Sequence, residues 1–160
     1  MLEDEVDLHR LIWSPDDFDG DQLLPSAFRR DDLKGGDGYI SVSRTDQLRP
    51  EVELEMARQQ AERANGKDFV REDAWSILFN CGRLRVARDD EGSSPFAVTP
   101  EPIPDVNPAH CGIRNISGKT GRGYINQLRI ILVKLASSPR RFDSFLQDWG
   151  SAHEWNGEGS

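Results

Sequence analysis

Apolar and polar positions alternate in several short segments of the chain, and this alternation predicts strands. The clearest case is YISVSR, residues 39–44. Ile40 and Val42 fall on one side of it and Ser41 and Ser43 on the other, as in a strand with one buried face. The segment is therefore predicted to be a half-buried strand of a sheet.

Further strands are predicted where short apolar runs are bounded by turn-forming residues. They are LHRLIW (8–13), DAWSILFNC (73–81), GRLRVAR (82–88) as its continuation or partner, and HCGIRNI (110–116). The segment TPEPIPDVNP (99–108) carries four prolines. Since proline neither continues a helix nor donates to a sheet, this segment is predicted to be an extended connector.

Two segments have the periodicity of amphipathic helices. In the first, Pro50 suits a first turn, and Asn65 followed by Gly66 predicts a left-handed stop. The second covers residues 121–136, where apolar residues recur at helical spacing. Both segments are predicted to be helices that pack on the sheet.

A third helix is predicted near the C-terminal end. Ser138 and Pro139 have the residue types of a helix cap and first helical residue, and RRFDSFLQDW would follow and end at Gly150. The pattern as a whole predicts an α+β fold in a single domain over residues 1–150, followed by a disordered tail at 151–160. We expect about five strands in a mixed or antiparallel sheet, one helix inserted after the second strand, and two C-terminal helices packing on one face.

Charge is distributed unevenly along the chain. The net charge is −8, yet residues 106–142 contain no acidic residue and seven basic ones. This asymmetry predicts a basic surface over residues 114–141 for an anion or a partner protein. Its candidate binding residues are Arg114, Lys119, Thr120, Arg122 and Arg129.

Nucleic acid is a further candidate partner of the stretch 106–142. Tyr124 is its only aromatic residue before Phe142, so the contacts expected are to phosphates and not to stacked bases. The loop NISGKTGRGYIN (115–126) has the glycines and lysine of a phosphate cradle. A Walker A loop would require glycine where Ile113 stands, so an ATP site of that type is excluded.

Cysteine and histidine usage gives no metal motif. Cys81 and Cys111 lack a CxxC spacing and are predicted to be buried thiols, and no metal or other cofactor is expected. A nucleophilic pair of Cys81 with His110 needs neighbouring strands, which the sequence alone leaves open.

The acidic start and the absence of a long apolar run predict a cytoplasmic protein without membrane contact.

The order of motifs resembles that of a group of small bacterial proteins without an assigned activity. The shared order is an arginine-bearing first strand, PSAF (25–28), a Ser-Val strand, and a Pro-x-Pro stretch leading to PAH (108–110) and a strand. Members of this group look like parts of bacterial conflict or toxin and antitoxin neighbourhoods. The resemblance implies membership of a bacterial defence or toxin and antitoxin module, and the charge asymmetry and the absence of a complete catalytic motif predict a non-catalytic binding component, which would use its basic surface for a partner protein or phosphate.

A more distant resemblance is to toxins of the RES type and other ADP-ribosyltransferase-like proteins. It rests on Arg10 in an early strand, Gly36 in a turn, Ser41 or Ser43 in the next strand, and Glu51 or Glu55 at the start of a helix. It implies an enzyme that consumes NAD. In that scheme an arginine clamps the pyrophosphate, a serine orients the ribose, and a carboxylate stabilises the transition state.

The sequence therefore leaves three classes of function. The first is the non-catalytic binding component, and the second is the NAD-consuming enzyme, with catalytic candidates Arg10, Ser43, His110 and Glu51. The third is an immunity-like protein that covers another protein's charged site. The enzyme requires Arg10, Ser43 and His110 to meet in one cleft, whereas the other two classes do not.

Overall fold

A computed structural model describes residues 2–65 and 69–152. Its strands are β1 (Asp7–Ile12), β2 (Phe18–Asp19), β3 (Gln22–Leu23), β4 (Ile40–Arg44), β5 (Trp75–Asn80), β6 (Phe96–Pro100), β7 (His110–Asn115) and β8 (Arg140–Arg141). Its helices are α1 (Pro50–Asn65), α2 (Cys81–Val86), α3 (Arg122–Leu135) and α4 (Phe142–Ala152).

Six strands form one antiparallel sheet in the order β6-β7-β4-β1-β5-β8, and β2 and β3 form a separate hairpin. The predicted α+β class is confirmed, and of the two expected sheet types the antiparallel one is present. The sheet has six strands where about five were expected. Residues 82–88 do not join it, whereas β6 and β8, which the sequence did not predict as strands, pair with β7 and β5 at its two edges.

The sheet carries a hydrophobic core on each face. On one face α3 packs through Ile125, Leu128 and Leu132 onto a core that includes Leu8 and Ile77. On the other face α4 packs through a second core, made of Leu48, Ala74, Phe142, Phe145 and Trp149, with Leu11, Leu54 and Leu78 against it. The prediction that both C-terminal helices pack on one face is therefore wrong, because the chain crosses the sheet edge as β8 between them.

Helix α1 lies between β4 and β5 in the chain, as the sequence predicts. It packs on the same face as α4, where Leu54 joins the second core. Ala57 and Ala61 are buried, and these small side chains let the helix approach the sheet closely. Glu53 is buried in the same stripe, four residues before Ala57.

Two segments differ from the prediction in their secondary structure. Residues 82–88 were expected in a strand, but α2 begins directly after β5, because the Asn80 side chain accepts a hydrogen bond from the Arg83 amide at 3.0 Å and caps the helix. The third predicted helix begins at Phe142 and not at Pro139. It continues to Ala152, so the predicted tail starts within a helix, and residues 153–160 lie outside the described part of the chain.

Among the described residues, none of the helices has the length and apolarity needed to cross a membrane.

Candidate functional site

The central sheet is divided between β1 and β4. These strands are paired only at Leu8 with Arg44 and at His9 with Ser43. By contrast, β1 pairs with β5 along its whole length, and β4 pairs with β7 from Ile40 onward. Beyond the His9 and Ser43 pair, the two halves of the sheet are no longer joined by a ladder of hydrogen bonds, and this split opens a cleft.

Arg10 lies at the split. Its Nη1 donates to the carbonyl oxygen of Ser41 at 2.8 Å and its Nη2 to that of Ala27 at 3.1 Å, while the guanidinium lies 5.7 Å from the Phe28 ring centroid. Its Nε is buried and has no hydrogen-bond partner among the described residues. No carboxylate in the described part of the chain forms an ion pair with Arg10.

Burial lowers the pKa of Arg10, and the nearby carboxylates of Asp32, Asp17 and Glu53 oppose that effect. The guanidinium still carries its charge at neutral pH, because the ordinary pKa of arginine is far above 7. A half-buried cation bonded to neutral carbonyls, and to no carboxylate among the described residues, has attraction left for an anion. Arg10 is therefore the strongest anion-binding candidate of the cleft.

Three polar side chains form a row across β1, β4 and β7. His9 is paired with Ser43, and Ser43 is paired with His110, so the three side chains project from one face of the sheet. Helix α1 covers this face and places Glu53 over the row. The pairing of the strands, with alternate side chains on each face, thus brings His9, Ser43 and His110 together although they are far apart in sequence.

Hydrogen bonds fix the Glu53 carboxylate from both sides. Oε1 lies 2.8 Å from His9 Nδ1, and Oε2 accepts from Ser43 Oγ at 3.0 Å. The other ring nitrogen of His9 lies 2.8 Å from Ser76 Oγ, and the Phe145 ring stacks on the imidazole with 4.7 Å between centroids. These bonds orient the Glu53 carboxylate. They differ from the arrangement around a catalytic serine, whose hydroxyl bonds to a histidine, because the Ser43 hydroxyl donates to the carboxylate.

His110 is buried beside this network with one nitrogen unused. Its Nδ1 lies 2.8 Å from the carbonyl oxygen of Glu101. Because a carbonyl only accepts, Nδ1 carries the proton and the neutral ring has its lone pair on Nε2. Nε2 is buried and has no partner among the described residues. The Tyr39 ring meets the imidazole edge-on, with 5.6 Å between centroids.

Two adjoining cavities share Arg10, Ser41 and Gln60 in their walls. The smaller, of about 40 Å³, also contacts His9, Ser43, Glu53, Met56, Ala57 and His110. The larger, of about 780 Å³, extends past the end of α1 and contacts Trp13, Asp17, Arg29, Asp32, Tyr39 and Arg63. The larger cavity falls within the 300–1,000 Å³ typical of small-molecule sites.

Two half-buried carboxyl groups lie in the larger cavity. Burial raises the pKa of Asp17, against the hydrogen bond from Ser26 at 2.9 Å and the attraction of Arg10. Burial likewise raises the pKa of Asp32, against the attraction of Arg10. In both cases the cost of desolvation exceeds the gain from the nearby cation. Perturbed acids in a cleft are typical of functional sites.

Three of the four catalytic candidates meet in the small cavity, namely Arg10, Ser43 and His110. Glu51 is exposed and does not contact either cavity, and the helix carboxylate in the site is Glu53. Glu55 is also exposed and is bonded to Arg58. The spacing of Glu53 to the small buried residues Ala57 and Ala61 was the signal that could have identified it.

Most candidates of the basic surface have partners within the molecule. Arg114 pairs with Glu101 at 2.8 Å and lies over the Tyr39 ring, and Lys119 pairs with Glu91. Arg129 donates to the carbonyl oxygens of Pro25 and Phe28 and so holds a wall of the cleft.

The remaining candidates of the basic surface, Thr120 and Arg122, are exposed. Arg122 has no ion pair among the described residues. Most of the candidate cations in residues 114–141 are thus bonded to groups of the protein itself.

The two cysteines are free and buried, as predicted. Burial raises the pKa of the Cys81 thiol to about 11, which makes it a poor nucleophile at neutral pH. Among the described residues, no group of three or more histidine, cysteine or acidic side chains is arranged to hold a metal ion.

Comparison of the chain with known protein families, with curated proteins and with solved structures finds no match.

Proposed function

We propose that this protein binds a dinucleotide of the NAD type in the cleft and breaks the bond between ribose and nicotinamide. The observation that carries the proposal is that a half-buried arginine, without an ion pair among the described residues, and a fixed carboxylate line one cavity at the split of the sheet. This is the activity that the resemblance to RES toxins implies.

Arg10 is the group that holds the pyrophosphate. The side chain is half-buried, its buried Nε has no partner among the described residues, and the residue lines both cavities. Hydrogen bonds from a guanidinium to phosphate are charge-assisted and roughly twice as strong as those between neutral groups. An anion at this point would satisfy Nε and balance a charge that has no ion pair among the described residues.

The larger cavity suits the rest of a dinucleotide. Its volume of about 780 Å³ accommodates a ligand with two ring systems joined by a pyrophosphate. Trp13 and Tyr39 lie in its wall and give the cavity aromatic side chains of the kind that border a flat base. The mixture of Arg10 with Asp17 and Asp32 matches a ligand that carries both negative phosphates and a positive pyridinium ring.

Glu53 is the group that stabilises the transition state. When the ribose–nicotinamide bond breaks, its electron pair leaves with the ring nitrogen of nicotinamide, and positive charge develops on the ribose carbon. A carboxylate fixed beforehand by His9 and Ser43 stabilises that charge without reorganising. Ser43 in this scheme orients the carboxylate.

The test is release of nicotinamide from NAD by the purified protein. Glu53→Gln should lower the rate by about 10²–10³-fold, by analogy with the loss of one electrostatic group in an active site. Glu51→Gln is the matched control, because Glu51 lies two residues away on the same helix and is exposed. Equal rates for both variants, or no release by the folded wild-type protein, would contradict the proposal.

Binding of a partner protein or phosphate through residues 114–141 stays a prediction. We place the function in the cleft because Arg114, Lys119 and Arg129 are engaged within the molecule, whereas Arg10 is not paired with a carboxylate of the described residues.

A further inference from the structure

The Arg114 side chain joins β7 to two neighbouring segments beside the larger cavity. Its Nη2 donates to Glu101 Oε2 at 2.8 Å, and its Nε donates to Thr99 Oγ1 at 3.1 Å. Its Nη1 donates to the carbonyl oxygens of Gly36 at 3.3 Å and Gly38 at 3.4 Å. One guanidinium thus ties β6 and the start of the proline-rich connector to the turn that precedes β4.

The turn at residues 35–38 needs such bonds to keep one shape. Gly35 and Gly36 have positive φ angles of 82° and 62°. Glycine adopts these angles without strain, but it also loses more conformational freedom on folding than any other residue. A turn rich in glycine is therefore fixed by bonds from outside it. Asp37 and Gly38 line the larger cavity, so the shape of this turn is the shape of part of the cavity wall.

The Tyr39 ring is the second part of the wall that Arg114 holds. The guanidinium carbon lies 4.9 Å from the ring centroid, within the distance of a cation–π contact. The His110 imidazole meets the same ring edge-on with 5.6 Å between centroids, and the absence of a side chain at Gly112 leaves the space for it. Tyr39 lines the larger cavity, whereas Arg114 is not among the described residues that line either cavity. Arg114 therefore acts on a ligand through the wall and not by contact.

We infer that Arg114 is a positioning residue of the larger cavity, which fixes the 35–38 turn and the Tyr39 ring and thereby sets how tightly the dinucleotide binds. The inference rests on the proposed function for the identity of the ligand. Arg114 is paired with Glu101, so its charge is balanced within the protein. Because Arg10 and Glu53 stay in place without it, bond breaking at saturating NAD does not depend on Arg114.

The first experiment follows the Tyr39 ring in the absence of ligand. The chain has two tyrosines, Tyr39 and Tyr124, so protein labelled with 3-fluorotyrosine gives two fluorine resonances, which Tyr39→Phe assigns. Arg114→Gln should narrow the Tyr39 resonance, because the ring gains motion when the guanidinium is removed and the turn is released. Arg122→Gln is the matched control and should leave this resonance unchanged, since Arg122 is exposed and has no ion pair among the described residues. A folded Arg114→Gln protein with an unchanged Tyr39 resonance would overturn the inference.

The second experiment measures NAD binding and turnover. Arg114→Gln should raise the dissociation constant for NAD by about 3–30-fold, the range that corresponds to loss of a cation–π contact, and leave kcat unchanged. Arg114→Lys should fall between wild type and Arg114→Gln, because the ammonium still pairs with Glu101 but lacks the fork that reaches Thr99 and the turn. Equal dissociation constants for wild type and Arg114→Gln, or a loss in kcat alone, would overturn the inference.

The inference and the proposed function fail in different ways. Wild-type protein that binds NAD more tightly than Arg114→Gln but releases no nicotinamide would overturn the proposed function and support Arg114 as a positioning residue. Release of nicotinamide with equal dissociation constants for the two proteins would do the reverse. No binding of NAD by the folded wild-type protein would overturn both.

Discussion

Asp32 and Asp31 are neighbours in the chain with opposite electrostatic environments. Burial raises the pKa of Asp32, whereas the hydrogen bond from Lys34 lowers the pKa of exposed Asp31. A carboxyl group with a raised pKa favours the folded state while it is protonated, and this contribution is lost as the pH rises through the folded-state pKa. At neutral pH the ionised Asp32 therefore lowers the free energy of unfolding. Such a cost is typical of residues in functional sites, and Asp32 lies in the larger cavity.

Asp32→Asn is expected to increase the free energy of unfolding at pH 7 by about 0.5–1 kcal/mol, because it removes a poorly solvated charge. The gain should vanish near pH 3, where the carboxyl group is protonated in both states. Urea unfolding at both pH values measures the difference. Asp31→Asn is the control and should give no gain at pH 7, and an Asp32→Asn gain that is equal at both pH values would contradict the electrostatic explanation.

At the level of single residues, the sequence identified part of the candidate site. Arg10, Ser43 and His110 were predicted from an arginine-bearing strand, an alternating strand and a lone histidine, and the structure brings them to one cavity. Glu53 was missed in favour of Glu51, because the acids at the start of α1 look alike until the packing face is known. His9 was also missed, since its role comes only from contact with Glu53.

Strand β7 contacts the wall of the cleft through a glycine. A Cβ added at Gly112 would lie 2.7 Å from the Cγ and Cδ2 atoms of Tyr39. The Tyr39 ring in turn meets His110 edge-on and lies under the Arg114 guanidinium. The absence of a side chain at Gly112 thus sets the position of an aromatic wall of the cleft.

Gly112→Ala is expected to lower the free energy of unfolding by about 1–3 kcal/mol, the usual cost of overpacking. It should also weaken NAD binding, because the Tyr39 ring must move. Thermal melts and a binding titration measure the two effects. Gly123→Ala is the control: a Cβ there meets nothing within 4 Å, so it should be neutral or stabilising by up to about 1 kcal/mol. Equal effects of the two substitutions would exclude the contact with Tyr39 as the cause.

Elements with a strong local signal were predictable, and those fixed by tertiary pairing were not. Strand β4 alternates clearly and α3 has a regular apolar stripe, so both appear where expected. Strand β8 has only two residues and exists because Trp75 and Ser76 leave an edge for Arg140 and Arg141. Helix α2 begins where the Asn80 side chain caps it. In the sequence Asn80 is read as part of the preceding strand, so the start of a helix was not recognised there.

The charge of the whole molecule limits its binding to polyanions. The net charge is −8, and five of the seven basic side chains in residues 114–141 are paired with carboxylates or bonded to carbonyls. A nucleic-acid interface would need several free cations on one face. The fold therefore gives little electrostatic support for nucleic acid as a partner.

We expect no measurable binding of duplex or single-stranded DNA at physiological salt. Fluorescence anisotropy of labelled DNA at low and physiological ionic strength tests this. Binding that weakens steeply with salt would show that several phosphates are contacted and would establish the basic surface as a nucleic-acid site. In that event the double variant Arg122→Glu with Lys134→Glu should abolish it, since both residues are exposed on α3.

The row of His9, Ser43 and His110 has a consequence for how the protein folds. The β2–β3 hairpin separates β1 from β4 in the chain, and α1, β5, α2, β6 and the proline-rich connector separate β4 from β7. The row therefore consists of contacts between distant parts of the sequence. Such contacts form slowly, because loop-closure entropy must be overcome before they stabilise the fold. A nascent chain has no complete cleft until β7, which ends at Asn115 of the 160 residues, has been synthesised and docked, so any activity of the cleft begins only after that point.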